Sequence, residues 1–201
     1  YQKTLMILGD GHFQSDCHLL YKRETMNLLE TLTQETLLAD GAMGTMLHAR
    51  GVGFDKCFDE LNLTNPAAVA DVHREYIEAG AELIITNTFG ANRYKLSKHG
   101  LQADVAEINR AGVELAKRVV AASFKEVLIA GDVGPLGVRI APYGRVKLEE
   151  AREAFAEQVK ALAEAGADVI IIETMSDLYE IQEAIKAAKE NSSLPIIASV
   201  T

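Results

Sequence analysis

Leu37-Leu38-Ala39-Asp40-Gly41-Ala42-Met43-Gly44-Thr45 is the stretch on which the fold turns. It reads as a short buried strand that ends on a carboxylate and passes at once into a glycine-rich loop. The plan recurs downstream in Leu83-Ile84-Ile85-Thr86, Val127-Leu128-Ile129-Ala130, Val169-Ile170-Ile171-Ile172-Glu173 and Ile196–Val200. Strands this apolar, alternating with amphipathic helices, suit a parallel sheet covered on its faces. In such sheets ligands collect at the C-terminal strand ends, so Asp40 is the first candidate for chemistry. Taken alone, Asp40-Gly41 reads equally well as a turn in which the aspartate bonds its own backbone.

Between the strands, helical periods alternate with turn residues. Asn65-Pro66 starts a helix, with Asn as cap and Pro in the first turn, and Gly80 ends it. Val69, Val72 and Tyr76 fall on one face. A second helix is predicted from about Asp104 to Val120 on the stripe Val105, Ile108, Leu115 and Val119. A third carries Ala151, Phe155, Val159 and Leu162. A fourth is capped by Ser176, has Asp177 serving its dipole, and turns Leu178, Ile181, Ile185 and Ala188 inward. Gly41 to Thr64 reads as one long loop. Leu28, Leu29 and Leu32 suggest a short helix over 27–36 that covers the bottom of a barrel. Residues 1–25 show no sustained period and are expected to be a disordered extension, which leaves 26–201 as the domain.

Glu78-Ala79-Gly80-Ala81 recurs as Glu164-Ala165-Gly166-Ala167, 86 residues on, or two βα units of about 43 residues each. A unit of that size suits a (β/α)8 TIM barrel, which needs ~250 residues for eight units. The expected fold is therefore α/β, an incomplete barrel with about five of eight βα units. A doubly wound sheet is the runner-up, disfavoured because Gly41 and Gly44 are too few for a dinucleotide loop.

Composition removes other classes. The chain has 201 residues, 48% of them hydrophobic, which fits a folded domain rather than a disordered one. No apolar run approaches the ~20 residues of a membrane span. A net charge of −9 with no basic tract argues against nucleic acid or an anionic membrane as partner. Cys17 and Cys57 have neither redox nor metal-knuckle spacing, and a reducing cytoplasm is the simplest compartment. Cys57 reads as a small buried hydrophobe and His73 as a packing residue. Arg93, Lys95, Lys98 and His99 read as a solvated helix start, with contact to an anionic cofactor the lesser option.

The strand ends of a barrel would bring together Asp40, Thr86, Asn87, Thr88, Asp132, Glu173 and Thr174. Asp40 and Glu173 could grip an ammonium group, form an acid/base pair or hold a metal. Backbone N–H groups of the Gly41–Gly44 loop suit a carboxylate. The bland alternative pairs Glu173 with a Lys or Arg at the rim. A lyase or aldolase using Asp40 and Glu173 as acid and base is a third option, its Schiff-base form disfavoured by the lack of a strand-end lysine.

Six segments in order resemble the homocysteine S-methyltransferase family: Asp40-Gly41-Ala42-Met43-Gly44-Thr45, Glu60-Leu61-Asn62, Thr86-Asn87-Thr88-Phe89-Gly90-Ala91, Lys98-His99-Gly100-Leu101, Gly131-Asp132-Val133-Gly134-Pro135 and Glu173-Thr174-Met175-Ser176-Asp177. The resemblance runs from about Met26 to Thr201. It implies a (β/α)8 barrel that methylates the sulfur of homocysteine to give methionine, with zinc holding the sulfur as thiolate. A free thiol is mostly protonated at neutral pH and a metal-bound one is not. By the same resemblance Asp40 and Glu173 hold the amino group, Gly41 and Ala42 receive the carboxylate on backbone amides, and Thr86 also contacts the carboxylate. Asn87 and Thr88 complete that segment. The family's zinc ligands are one cysteine after strand six and a pair after strand eight; neither Cys17 nor Cys57 matches them, so they are expected beyond Thr201. The 201 residues alone are accordingly expected to be inactive, and a non-catalytic half-barrel that binds an amino acid is the alternative. Cobalamin or methyltetrahydrofolate would enter through further domains, and open sheet edges would invite self-association.

Overall fold

The computed structural model describes Leu28, Leu32 and residues 36–201. The expected extension over 1–25, and Leu29 of the first helix, lie outside the described residues. In order come helices α1 (Met43–Ala49), α2 (Leu61–Thr64) and α3 (Pro66–Ala79), strand β1 (Leu83–Ile85), helices α4 (Arg93–Leu96) and α5 (Val105–Ser123) and strand β2 (Leu128–Val133). Then follow α6 (Leu148–Ala165), β3 (Val169–Met175), α7 (Leu178–Asn191) and β4 (Ile196–Val200). The sheet order is β1-β2-β3-β4, all parallel. This is an open arc of a (β/α)8 barrel. No helix among the described residues is long and apolar enough to cross a membrane.

The two faces of the arc sort by alternate residues, as a period of two requires. Leu83, Leu128, Ala130 and Val169 face the barrel interior, where Leu28 joins them at the strand N-terminal ends. Leu28 thus sits where a bottom-covering helix was expected, while Leu32 is 46% exposed. Ile84 and Ile129 pack outward on α3 and α5, through Ile77, Ala116 and Val120. Ile170 and Ile172 pack outward on α6 and α7, through Phe155, Val159, Leu162, Ile181 and Ala184.

The sequence echo is a repeated joint. Gly80 and Gly166 both take left-handed φ values, 108° and 91°, at helix ends. The N–H after each reaches five residues back: Ala81 to Tyr76 O and Ala167 to Leu162 O, which is the Schellman closure that favours glycine. The next carboxylate then fastens the preceding segment, Glu82 Oε2 accepting from Leu38 N at 3.0 Å and Asp168 Oδ2 from Ile129 N at 2.8 Å.

Four expectations are corrected. The first strand, Leu37–Asp40, shrinks to one parallel bridge, Ala39 with Leu83. It pairs on one side only, and Leu38 is 57% exposed. The loop expected over Gly41–Thr64 contains α1 and α2; Met43, Met46 and Leu47 have helical spacing, which the surrounding glycines mask. Asn65 makes no side-chain cap, and its non-helical backbone (φ −146°, ψ 59°) precedes Pro66 at the start of α3. Asp177, not Ser176, caps α7 by accepting from Tyr179 N and Glu180 N, and this turns Leu178 outward, 69% exposed.

His73 on α3 is fully buried, and neither ring nitrogen has a partner among the described residues. Burial pulls its pKa down to about 4 from 6.5. The unfolded chain therefore binds a proton between pH 6.5 and 4 that the native state refuses, so stability falls as pH drops through that window. The loss expected at pH 4.5 is about 2–3 kcal/mol. Urea titration of the wild type and His73→Leu at pH 7.5 and 4.5 should show this acid penalty in the wild type only. An identical pH dependence in both would refute it.

Candidate functional site

A cavity of about 660 Å³ opens at the C-terminal strand ends, lined by Asp40, Gly41, Ala42, Thr86, Asn87 and Glu173 among others. Six of the seven residues expected at the site thus share one cavity. The seventh, Thr88, is fully buried beneath it. Its hydroxyl donates to Asp132 O at 2.9 Å, Thr86 Oγ1 lies 2.7 Å away, and Asp132 N donates to Thr86 Oγ1 at 3.0 Å. With the Thr88 proton on Asp132 O, the Thr86 proton goes to Thr88. Thr86 then keeps no free donor for a ligand carboxylate. Asn87 is also braced, donating to Phe58 O at 2.7 Å and to Asn62 Oδ1 at 3.2 Å.

Gln158 fastens this floor from outside. It is fully buried on α6, and its Nε2 donates to Thr88 O at 2.7 Å and to Asp132 O at 3.2 Å. Behind the floor, Gly112 on α5 leaves room for Thr88 and Asn62; a Cβ there would stand 2.7 Å from Thr88 Cγ2.

The carboxylates Asp40, Asp59, Asp132 and Glu173 come from four segments. Asp40 Oδ2 accepts from Ile85 N at 3.0 Å, while its buried Oδ1 has no partner among the described residues. Burial first, then the charge of Glu173, push the Asp40 pKa up to about 7, against the opposing pull of the Ile85 N–H. Asp132, at the end of β2, is 4% exposed. Burial drives its pKa well above the ordinary range, and the nearby Glu173 and Asp59 carboxylates add to the rise.

Glu173 owes its aim to the regular alternation of β3, and a bulge follows directly after it. Val169 and Ile171 face the barrel interior, Ile170 and Ile172 face the helices, and strict alternation turns Glu173 inward. Met175 should then also point inward, yet it packs in the outer core. Thr174 is the inserted residue. The β3–β4 register shifts between Ile172 and Met175, and Thr174 adopts φ 59°. A β-branched residue in the left-handed region costs about 1–2 kcal/mol. Bulges of this kind recur beside active sites, where they re-aim a side chain.

A loop of small residues faces these acids. Gly41 and Ala42 are exposed and precede α1, whose first turn has no side-chain cap. A Cβ on Gly41 would lie 2.9 Å from the Tyr76 hydroxyl, which donates to Ala42 O at 3.2 Å and holds the loop from below. Asp59 and Lys95 are among the lining residues that escaped the sequence reading of the site. Asp59 accepts from Gly90 N at 2.8 Å. Lys95 places its Nζ 4.1 Å from the Phe89 ring centroid, and burial lowers its pKa against the pull of Asp59 and Asp132. Lys95 belongs to the basic run expected to be solvated, but its side chain lines the cavity. Asp59 stands beside the matched segment Glu60-Leu61-Asn62, the only signal that pointed near it.

An open (β/α)8 barrel with an acid-rimmed cavity at its strand ends defines the class. The model of the homocysteine S-methyltransferase family matches residues 37–201, and the chain belongs to that family. Methionine synthases of Mycobacterium tuberculosis and Mycobacterium leprae are each 30% identical over 189 residues, covering 87% of this chain and 16% of the synthase. The homocysteine methyltransferase MmuM from Escherichia coli in its metallated form superposes with a TM-score of 0.75 at 27% identity, covering 86% of this chain and 65% of that one. Its apo form gives 0.67 at 29%. The chain thus spans about one sixth of the synthases and just under two thirds of MmuM.

Proposed function

We propose that this chain forms the homocysteine-gripping part of an enzyme that methylates homocysteine sulfur to give methionine. The observation that carries the reading is the cavity that joins Asp40 and Glu173 to the Gly41–Ala42 loop, in a chain whose family bears that name. The ammonium group of an α-amino acid neutralises the acids, and the loop N–H groups take its carboxylate. That fixes both ends of the amino-acid head and leaves the side chain, with its sulfur, facing the open part of the cavity.

Zinc is the metal the family resemblance implies. The described residues contain no group of three or more His, Cys, Asp or Glu able to hold a metal ion. The free thiol of Cys57 is buried, its pKa pushed up to about 11 by burial and by Asp59. These residues do not fit a thiolate-activating centre. Their part is to bind and orient the amino acid, and we place the zinc ligands, the methyl donor and any cobalamin- or folate-binding domain in other parts of the full protein. A cytoplasmic setting, where thiols stay reduced, accords with a thiol substrate.

Calorimetric titration with L-homocysteine and with 4-mercaptobutyrate, which lacks the amino group, tests this. Homocysteine should bind about 30-fold or more tightly, since an unpaired buried charge costs ~2–5 kcal/mol. Equal affinities, or no binding of homocysteine, would overturn the reading.

A further inference from the structure

Tyr76 stands on α3, outside the cavity lining, yet it is tied to the loop that faces the cavity's acids. Its hydroxyl donates to Ala42 O at 3.2 Å. Among the described residues this is the one hydrogen bond that joins Gly41 or Ala42 to a residue more than four positions away. Thr45 Oγ1 also donates to Ala42 O, at 3.4 Å, but it belongs to the adjoining helix α1 and moves with the loop. The Tyr76 ring lies directly under Gly41, where a Cβ would stand 2.9 Å from the hydroxyl and 3.3 Å from Cε1 and Cζ. The anchor itself is rigid. Its side chain packs against the apolar clusters that join α3 to α1, β1 and α5. Its carbonyl accepts from Gly80 N and Ala81 N where α3 closes.

We infer that Tyr76 is a positioning residue for the carboxylate of the amino-acid ligand: it clamps the Gly41–Ala42 loop from behind, so that backbone N–H groups rather than the Ala42 carbonyl meet that carboxylate. The inference rests on the homocysteine reading and deepens it. Gly41 and Ala42 are small and exposed, and a loop of such residues left free would have to be ordered at the expense of ligand affinity. Asp40, Gly41, Ala42, Met43 and Gly44 line the cavity and Tyr76 does not, so the bond to Tyr76 turns Ala42 O to the back. Swung to the front, that oxygen would set its negative end against the ligand carboxylate. The same contact accounts for the glycine, since a side chain at position 41 would lift the loop off the ring. Among the described residues Tyr76 makes no hydrogen bond to Asp40 or Glu173; its hydroxyl is spent on the loop. It therefore acts on the carboxylate half of the grip and not on the ammonium half.

The test is calorimetric titration of the wild type and Tyr76→Phe with two ligands, L-homocysteine and 3-aminopropane-1-thiol. The second keeps the amine and the thiol and lacks the carboxylate. Phenylalanine keeps the packed ring and removes only the clamp. Tyr76→Phe should bind homocysteine about 3- to 10-fold more weakly, the worth of one hydrogen bond to backbone, and 3-aminopropane-1-thiol within about twofold of the wild type. A merely structural role would weaken both ligands alike. Equal losses, a larger loss for the amine, or no loss for homocysteine overturns this inference and leaves the ammonium grip intact. Gly41→Ala supplies a second reading. Its methyl should cost homocysteine binding less in Tyr76→Phe than in the wild type, because the hydroxyl it meets is gone. An equal cost in both backgrounds also overturns the inference. Failure of the wild type to bind homocysteine overturns both the inference and the reading beneath it.

Discussion

Glu173→Gln should weaken L-homocysteine binding about 100-fold while leaving the protein equally stable or slightly more so. The substitution keeps shape and removes one charge. Losing a charged partner from a desolvated ammonium contact costs ~3 kcal/mol, or about two decades in affinity. Stability should move the other way. Glu173 raises the pKa of both Asp40 and Asp132, so in the empty site it acts as a repelling neighbour, and its one side-chain donor among the described residues is Thr174 Oγ1 at 3.2 Å. Titration calorimetry and thermal melting, run on the same preparation, check both halves. A fall in melting temperature with unchanged affinity would make Glu173 a structural residue and remove it from the site. The opposed signs mark the site because binding and folding make opposite demands on clustered acids.

Phe155→Ala should cost about 4 kcal/mol of stability, from the transfer of the ring and the cavity it leaves. For a domain of this size that lowers the melting temperature by roughly 10 °C. Phe155 is fully buried in the largest apolar cluster, between the outer face of β3 and helix α7. Phe155→Leu should recover at least half of the loss, because a leucine refills most of the volume. Denaturant midpoints of the two variants decide it, and a loss below about 1.5 kcal/mol for the alanine would contradict the assignment.

The strands and long helices were legible because their signals are local. Ala151, Phe155, Val159 and Leu162 repeat at helical spacing and are buried. Gly80 and Gly166 stop their helices where the motif placed them. Lost were features that depend on neighbours. Leu37–Asp40 looks like a strand, but a strand needs partners, and it finds one bridge. Leu178 fits an apolar stripe, yet the cap of Asp177 sets the helix phase and exposes it. The site followed the same rule. Asp40 and Glu173 were readable as strand-end acids, and the rest of their setting came from contacts far apart in sequence. The bulge at Thr174 left no mark in the residue types. Asp59 reaches the cavity through a hydrogen bond to Gly90, 31 positions on. Thr86 and Thr88 were readable as strand-end hydroxyls, but the closed ring of hydrogen bonds that ties them to Asp132 was not.

Gln158 sets a limit on how this architecture can drift. A helix held by apolar contacts alone can slide along its groove and reseat after a core substitution. Helix α6 cannot, because one side chain hooks two backbone carbonyls of the cavity floor. A shift of one helical step would unhook both. Changes in the outer layer that keep the helix in register leave the floor untouched, and those that move it dismantle the floor directly. Sequence variation across α6 should therefore be wide in composition and narrow in phase, with position 158 as its origin.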